Sequence, residues 1–168
     1  MNSMKLIKIE KITLNIGTGT DATKLEKGIK LINHISGKKP VKTFTTKRIP
    51  TWGVRPGLPL GCKLTLRKKG AKEMLVRLLQ AKENQLASKQ FDNVGNLAFG
   101  IHEYIDIPGA KYDPDVGIIG LEVCVTLERA GFRVKKRRVK KNPISKKHLI
   151  TRDEAIDYMQ KEFNVEIK

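Results

Sequence analysis

Several things are scarce in this sequence, and each scarcity closes off a class of protein. Aromatic residues make up only 5% of the chain, so rows of rings stacking single-stranded bases are not expected to dominate a binding surface. There are two cysteines, Cys62 and Cys124, and no Cys-x-x-Cys pair. Both fall in alternating, strand-like stretches, which favours buried free thiols in a reducing compartment over a metal or redox site. No apolar run approaches the roughly 18 residues of a membrane-spanning helix. The opening MNSMKLIKIEK is too charged for a secretory signal. His34, His102 and His148 are scattered without metal-ligand spacing. GTGTDATK, from Gly17, lacks the third glycine of a dinucleotide fingerprint and the Gly-Lys-Ser/Thr ending of a P-loop. It reads as a strand-to-helix turn. No nucleophile, base and orienting group stand together, so neither an enzyme nor a cofactor is expected.

Negative charge is outnumbered two to one by positive, 17 Asp and Glu against 34 Lys and Arg, and the excess is unevenly distributed. The chain has 168 residues and a formal net charge of +17. Residues 1–67 hold 14 Lys and Arg against 3 Asp and Glu, residues 68–132 hold 8 against 9, and residues 133–168 hold 12 against 5. Two basic blocks around a neutral middle suggest a polyanion-facing side. Without a basic amphipathic helix bearing bulky aromatics, nucleic acid is the better candidate than a membrane surface.

Apolar periodicity sets the elements. Ile12, Leu14 and Ile16 alternate with Lys11, Thr13 and Asn15, and Cys62, Leu64 and Leu66 alternate with Lys63, Thr65 and Arg67. Both are strands with one core face and one polar face. Leu25, Ile29, Ile32 and Ile35 share a helical face, with Asp21 or Thr23 as cap, Gly37 as terminator and Pro40 beyond. VKTFT, GNLAFGI and GLEVCVTLE read as further strands, the last with Leu121, Val123, Val125 and Leu127 inward. GAKEMLVRLLQAKENQLA reads as a helix with a Met74, Leu75, Leu78, Leu79 stripe. TRDEAIDYMQKEF opens on a Thr151-to-Glu154 capping box. The expected fold is α+β, two-layered, with a mostly antiparallel sheet, helices on one face and an open basic face. Residues 1–132 form the expected RNA-binding domain, and residues 133–168 a basic extension ending in a short helix.

Three features carry the functional reading. Lys11, Thr13, Asn15, Lys63, Thr65 and Arg67 would offer cations, hydroxyls and an amide on one sheet face, suited to phosphates, 2′-hydroxyls and base edges. An ordinary solvated sheet face is the alternative. KRIPTWGVRPGLPLGCKLTLR, residues 47–67, is rich in Pro and Gly and holds Lys47, Arg48, Trp52 and Arg55 in a loop with no acid. RVKKRRVKKNPISKKH, residues 133–148, has nine Lys and Arg and no acid, among them Lys135, Lys136, Arg137, Arg138, Lys140 and Lys141. Such a block repels itself and stays extended until neutralised, unless it is only a nonspecific basic tail or a localisation signal. Against this trend, His102 to Glu122 carries Glu103, Asp106, Asp113, Asp115 and Glu122 opposed by Lys111 alone. Phosphates would repel it, so a projecting loop facing a basic protein is one reading and a solvated loop the other.

KITLNIGTG, SGKKPVKT, GVRPGLPLGCKLTLR, FDNVGNLAFGI and IDIPGAKYDPDVGIIGLEV, in this order, resemble the family of large-subunit ribosomal protein five. The likeness covers nearly the whole chain, and its C-terminal part resembles the archaeal and eukaryotic branch. The resemblance implies a cytoplasmic, ribosome-bound protein whose sheet binds 5S rRNA in the central protuberance. Asn15 and Thr65 match RNA-touching positions of that family. Lys38 matches another that is usually Gln, and Lys68 and Lys69 stand where Gly often follows the strand arginine. The rRNA-binding set then comprises Lys11, Thr13, Asn15, Lys38, Lys42, Lys63, Thr65, Arg67, Lys135, Lys136, Arg137, Arg138, Lys140 and Lys141. Lys47, Arg48, Trp52 and Arg55 would face P-site tRNA, or be anchored only on rRNA. Asp113 and Asp115 would form a bridge to small-subunit ribosomal protein thirteen. A general RNA chaperone is the alternative function.

Overall fold

A computed structural model describes residues 2–168. Its centre is the strand that the first alternation marks out. β1 (Ile7–Gly17) buries Ile12, Leu14 and Ile16 on one face. It lies between β3 (Pro59–Leu66) and β6 (Leu121–Arg129), with β2 (Val41–Phe44) outside β3 and β5 (Leu97–Ile101) outside β6. Every pairing in this five-stranded sheet is antiparallel. The core faces of β3 and β6 are Cys62, Leu64, Leu66 and Leu121, Val123, Val125, Leu127, as the period-2 patterns require.

Helices cover that apolar face. In α1 (Ala22–Ser36), Asp21 Oδ1 accepts from the Thr23 and Lys24 amides at 2.9 and 3.2 Å, and Gly37 closes the helix in a left-handed conformation. Leu31 and Gly28 join Leu25, Ile32 and Ile35 in the core, while Ile29 is only half-buried. Gly28 is needed for close approach, because a Cβ there would stand 3.2 Å from Cys62 Sγ. α2 (Lys68–Gln80) buries Met74, Leu75, Leu78 and Leu79 as expected. It stops seven residues earlier than the pattern through Ala87 suggests. Glu83 and Asn84 take positive φ, and Gln85–Leu86 become β4, parallel to β7 (Glu166–Ile167). Leu86 is buried through that pairing, a long-range contact that helical periodicity cannot anticipate.

The lysines that follow Arg67 open α2. Lys68 has φ +56°, where a side chain costs about 1–2 kcal/mol and glycine costs little. The turn therefore keeps a glycine-like conformation without the glycine. α4 (Arg152–Phe163) begins on the expected Thr151–Glu154 capping box. Its Ala155, Met159 and Phe163 lie in the same buried cluster as the sheet and α1. A Lys72–Glu162 ion pair at 2.8 Å joins α2 to α4.

Candidate nucleic-acid interface

Register decides which polar side chains share the open face. Thr13 lies opposite Thr65 on one side and Cys124 on the other, and Cys124 lies opposite Ala98. The next row runs Val41, Lys63, Asn15, Glu122, Gly100. Cross-strand partners point to the same face, so the centre is small and neutral. Lys63, Lys11 and Arg67 form its cationic border. Cys124 is half-exposed on this face, which corrects the expectation of two buried thiols. Cys62 alone is buried in the core. Burial raises the pKa of both, and at Cys124 the neighbouring Glu122 raises it further. Both are therefore neutral thiols near neutral pH.

Two expected members lie elsewhere. Lys42 is opposite the core-facing Cys62, so it points to the helix side of the edge strand. Lys38 lines a cavity with Ile35, Leu66, Gly70 and Met74, between α1 and the start of α2. Even-odd counting within β2 would have placed Lys42 correctly only once its register with β3 was known.

Carboxylates temper the face. Asn15 Nδ2 donates to Glu122 Oε2 at 3.2 Å. β1 has a bulge between Ile9 and Lys11, and Glu10, in that bulge, meets two of the expected RNA-binding cations. Arg67 Nη1 lies 3.2 Å from Glu10, and Lys136 contacts both Glu10 and Glu128. The Glu10 side chain is only 10% exposed. Burial acts to raise its pKa, but the hydrogen bonds and charges of Lys136 and Arg67 outweigh burial and hold it below the ordinary carboxylate value. Burial likewise acts to lower the Lys136 pKa, and Glu10 and Glu128 more than offset it. Both groups are charged in this network across the neutral range.

The basic block does not run extended. Arg133–Lys136 form a short helix, α3, that Lys136 ties to the end of the open face, and the remaining cations of the block are exposed. Arg129, absent from the sequence reading, anchors the chain on either side of this block. The Pro/Gly loop between β2 and β3 is pinched by paired backbone bonds between Ile49 and Val54. Val54 is buried and Gly53 takes the left-handed conformation of the tip. Lys47, Arg48 and Arg55 are exposed, and Trp52 is 72% exposed, a large apolar area to leave in water.

The acidic loop projects less than expected. Tyr104, Ile107 and Val116 are buried, and the Tyr104 hydroxyl accepts from the Asp113 amide at 2.9 Å. Arg77 of α2, another residue that the sequence left unmarked, donates to Pro108 O at 3.0 Å and Ile35 O at 3.1 Å. Between these anchors Asp113 is half-exposed and Asp115 exposed, and Asp113 Oδ1 accepts from the Asp115 amide in a local turn. Among the described residues, no three His, Cys, Asp or Glu side chains gather as a metal site. No helix among them is long and apolar enough to cross a membrane.

Sheet, border and loops together describe a two-layer α+β domain organised around exposed surfaces rather than an enclosed pocket. The sequence matches the family model for ribosomal protein L5 over residues 2–55 and the model for the C-terminus of the same ribosomal family over residues 59–158. It is 46% identical over 167 residues to large ribosomal subunit protein uL5 of Methanococcus maripaludis, covering 98% of this chain and 92% of that one. The corresponding protein of Sulfolobus acidocaldarius is 44% identical over 99% of this chain and 93% of its own. That of Nanoarchaeum equitans is 46% identical over 98% and 97%. The chain belongs to the ribosomal protein L5 family in its archaeal form, a family of structural, non-enzymatic proteins of the large ribosomal subunit.

Proposed function

We propose that this chain attaches 5S rRNA to the large subunit through the open face of its sheet, with the basic block on neighbouring rRNA. The observation that supports it is the register: Thr13 beside Thr65 and, in the adjacent row, Asn15 beside Lys63, two rows of hydroxyl, amide and ammonium groups backed by the buried core. Such groups donate to phosphates and 2′-hydroxyls without needing aromatic platforms. Tagged protein expressed in an archaeal host, recovered under native conditions with its RNA sequenced, should yield 5S rRNA well above its share of total RNA. Recovery of many unrelated RNAs in proportion to their abundance would favour a general RNA chaperone instead.

Two further contacts belong to this reading. The β2–β3 loop presents Lys47, Arg48, Trp52 and Arg55 to P-site tRNA. Its Pro and Gly content and the backbone pairing that pinches it near its tip limit the entropy lost on docking. Asp113 and Asp115, held in place by Tyr104 and Arg77, face small-subunit ribosomal protein thirteen, where acidic charge complements a basic partner. Two variants separate these roles. Lys47, Arg48 and Arg55 all replaced by Gln should weaken tRNA retention in the P site. Asp113 and Asp115 both replaced by Lys should loosen subunit joining, most at low salt. Neither should alter 5S rRNA recovery. If each variant leaves its own readout unchanged, that contact is not made by these residues.

A further inference from the structure

The segment from Arg133 to Lys147 has the composition of a tail, but both its ends are fastened at one place. Arg129, the last residue of β6, points to the core side and is 6% exposed. Its guanidinium donates to the carbonyls of Leu149 at 3.1 Å and His148 at 3.4 Å, and to Glu154 Oε1 at 2.7 Å. The other oxygen of Glu154 accepts from the Thr151 amide at 3.0 Å, so the same carboxylate also caps α4. One residue after Arg129, the Ala130 carbonyl lies 2.9 Å from His148 Nε2, and the His148 ring packs edge-on against Phe132. The chain therefore leaves the sheet at residue 130 and returns to the same point at residue 148.

Between these ends lie nine Lys and Arg and no acid. Inside the segment, the Asn142 amide donates to Val134 O at 3.3 Å and Arg137 Nε to Lys140 O at 2.8 Å. Like charges so confined repel one another and favour release of the segment. A buried arginine with three acceptors opposes that release. Confinement also has a benefit when an anion arrives, because chain entropy already lost on folding is not lost again on binding.

We propose that Arg129, His148 and Glu154 form a clasp that holds the basic segment as a closed loop, preorganised for the phosphate backbone of the RNA bound by the sheet. Arg129 is a positioning residue here: it touches no phosphate and acts through the loop. The proposal rests on the RNA-binding reading for its ligand, but the clasp itself is testable without RNA.

The first measurement is trypsin cleavage between residues 133 and 147 of the intact, RNA-free chain, well below its melting temperature. Arg129→Met should speed cleavage about tenfold, since cleavage follows the population of the open form. His148→Leu should act in the same direction and serves if Arg129→Met fails to fold. Unchanged cleavage in a folded variant overturns the clasp. The second measurement is affinity for a 5S rRNA transcript. Arg129→Met should weaken binding about tenfold in the otherwise unaltered chain, and not at all when Arg133, Lys135, Arg137, Arg138, Lys140 and Lys141 are already Gln. An equal loss in both backgrounds would mean that Arg129 does not act through the loop, and overturns the positioning role. A chain that shows the trypsin effect but whose unaltered form ignores the transcript would keep the clasp and refute its RNA ligand.

Discussion

Alanine at Asn15 or at Thr65 is expected to weaken 5S rRNA binding by about 1–3 kcal/mol, the range for a desolvated hydrogen-bond partner left unsatisfied. The two residues stand in adjacent rows of the open face, Asn15 opposite Lys63 and Thr65 opposite Thr13. Neither side chain belongs to the buried core cluster, so thermal stability should change little. Filter binding or calorimetry on the purified variants measures the loss. Lys63→Gln provides the contrast. It removes a charge rather than a directional donor, so it should lower affinity uniformly and reduce the salt slope by about one. Unchanged affinity in both alanine variants, with the fold intact, would remove the sheet face from the interface. In the free protein Glu122 accepts one N–H of the Asn15 amide at 3.2 Å, which leaves the second amide N–H free for an RNA acceptor.

Met159→Ala is expected to lower the free energy of unfolding by about 2–5 kcal/mol, the cost of truncating a fully buried side chain. Met159 lies in α4 with Ala155 and Phe163, in the same buried cluster as Leu14 of β1 and Leu75 of α2. Arg129, the Lys72–Glu162 ion pair and the β4–β7 pairing also tie this helix and its flanks to the rest of the chain. Urea denaturation followed by circular dichroism should show one shifted transition with an unchanged slope. A loss below about 1 kcal/mol, or a separate early transition, would mean that α4 docks loosely on a core that is complete without it.

Much of the architecture was legible in the sequence because it is written in short-range periods. The alternations in β1, β3 and β6 set which residues face the core before any pairing is known. Asp21, Gly37 and the Thr151–Glu154 box marked helix ends because capping is local chemistry, completed within three or four residues. The cationic loop and the acidic stretch were legible as charge, which depends on composition alone. What failed also failed for a definite reason. After α2 ends at Gln80 the chain turns through positive φ at Glu83 and Asn84, and Leu86 pairs with a strand distant in sequence, Glu166–Ile167, which helical periodicity does not encode. Lys42 faces the helix side because register between strands, not position within one, assigns its side.

The site shows the same division. By itself the sequence determined that Lys11, Thr13, Asn15, Lys63 and Thr65 alternate with core residues, the excess of positive charge and its two blocks, and membership of the ribosomal L5 family, since these depend on residue identity and order. Only the tertiary structure decided that Glu10 sits in a strand bulge between Arg67 and Lys136, that Glu122 meets Asn15 across the β1–β6 register, and that the basic block is a loop closed by Arg129. The reason is physical: each depends on groups far apart in the chain meeting within hydrogen-bond distance, and no local pattern of side chains specifies which distant partner a buried charge will find.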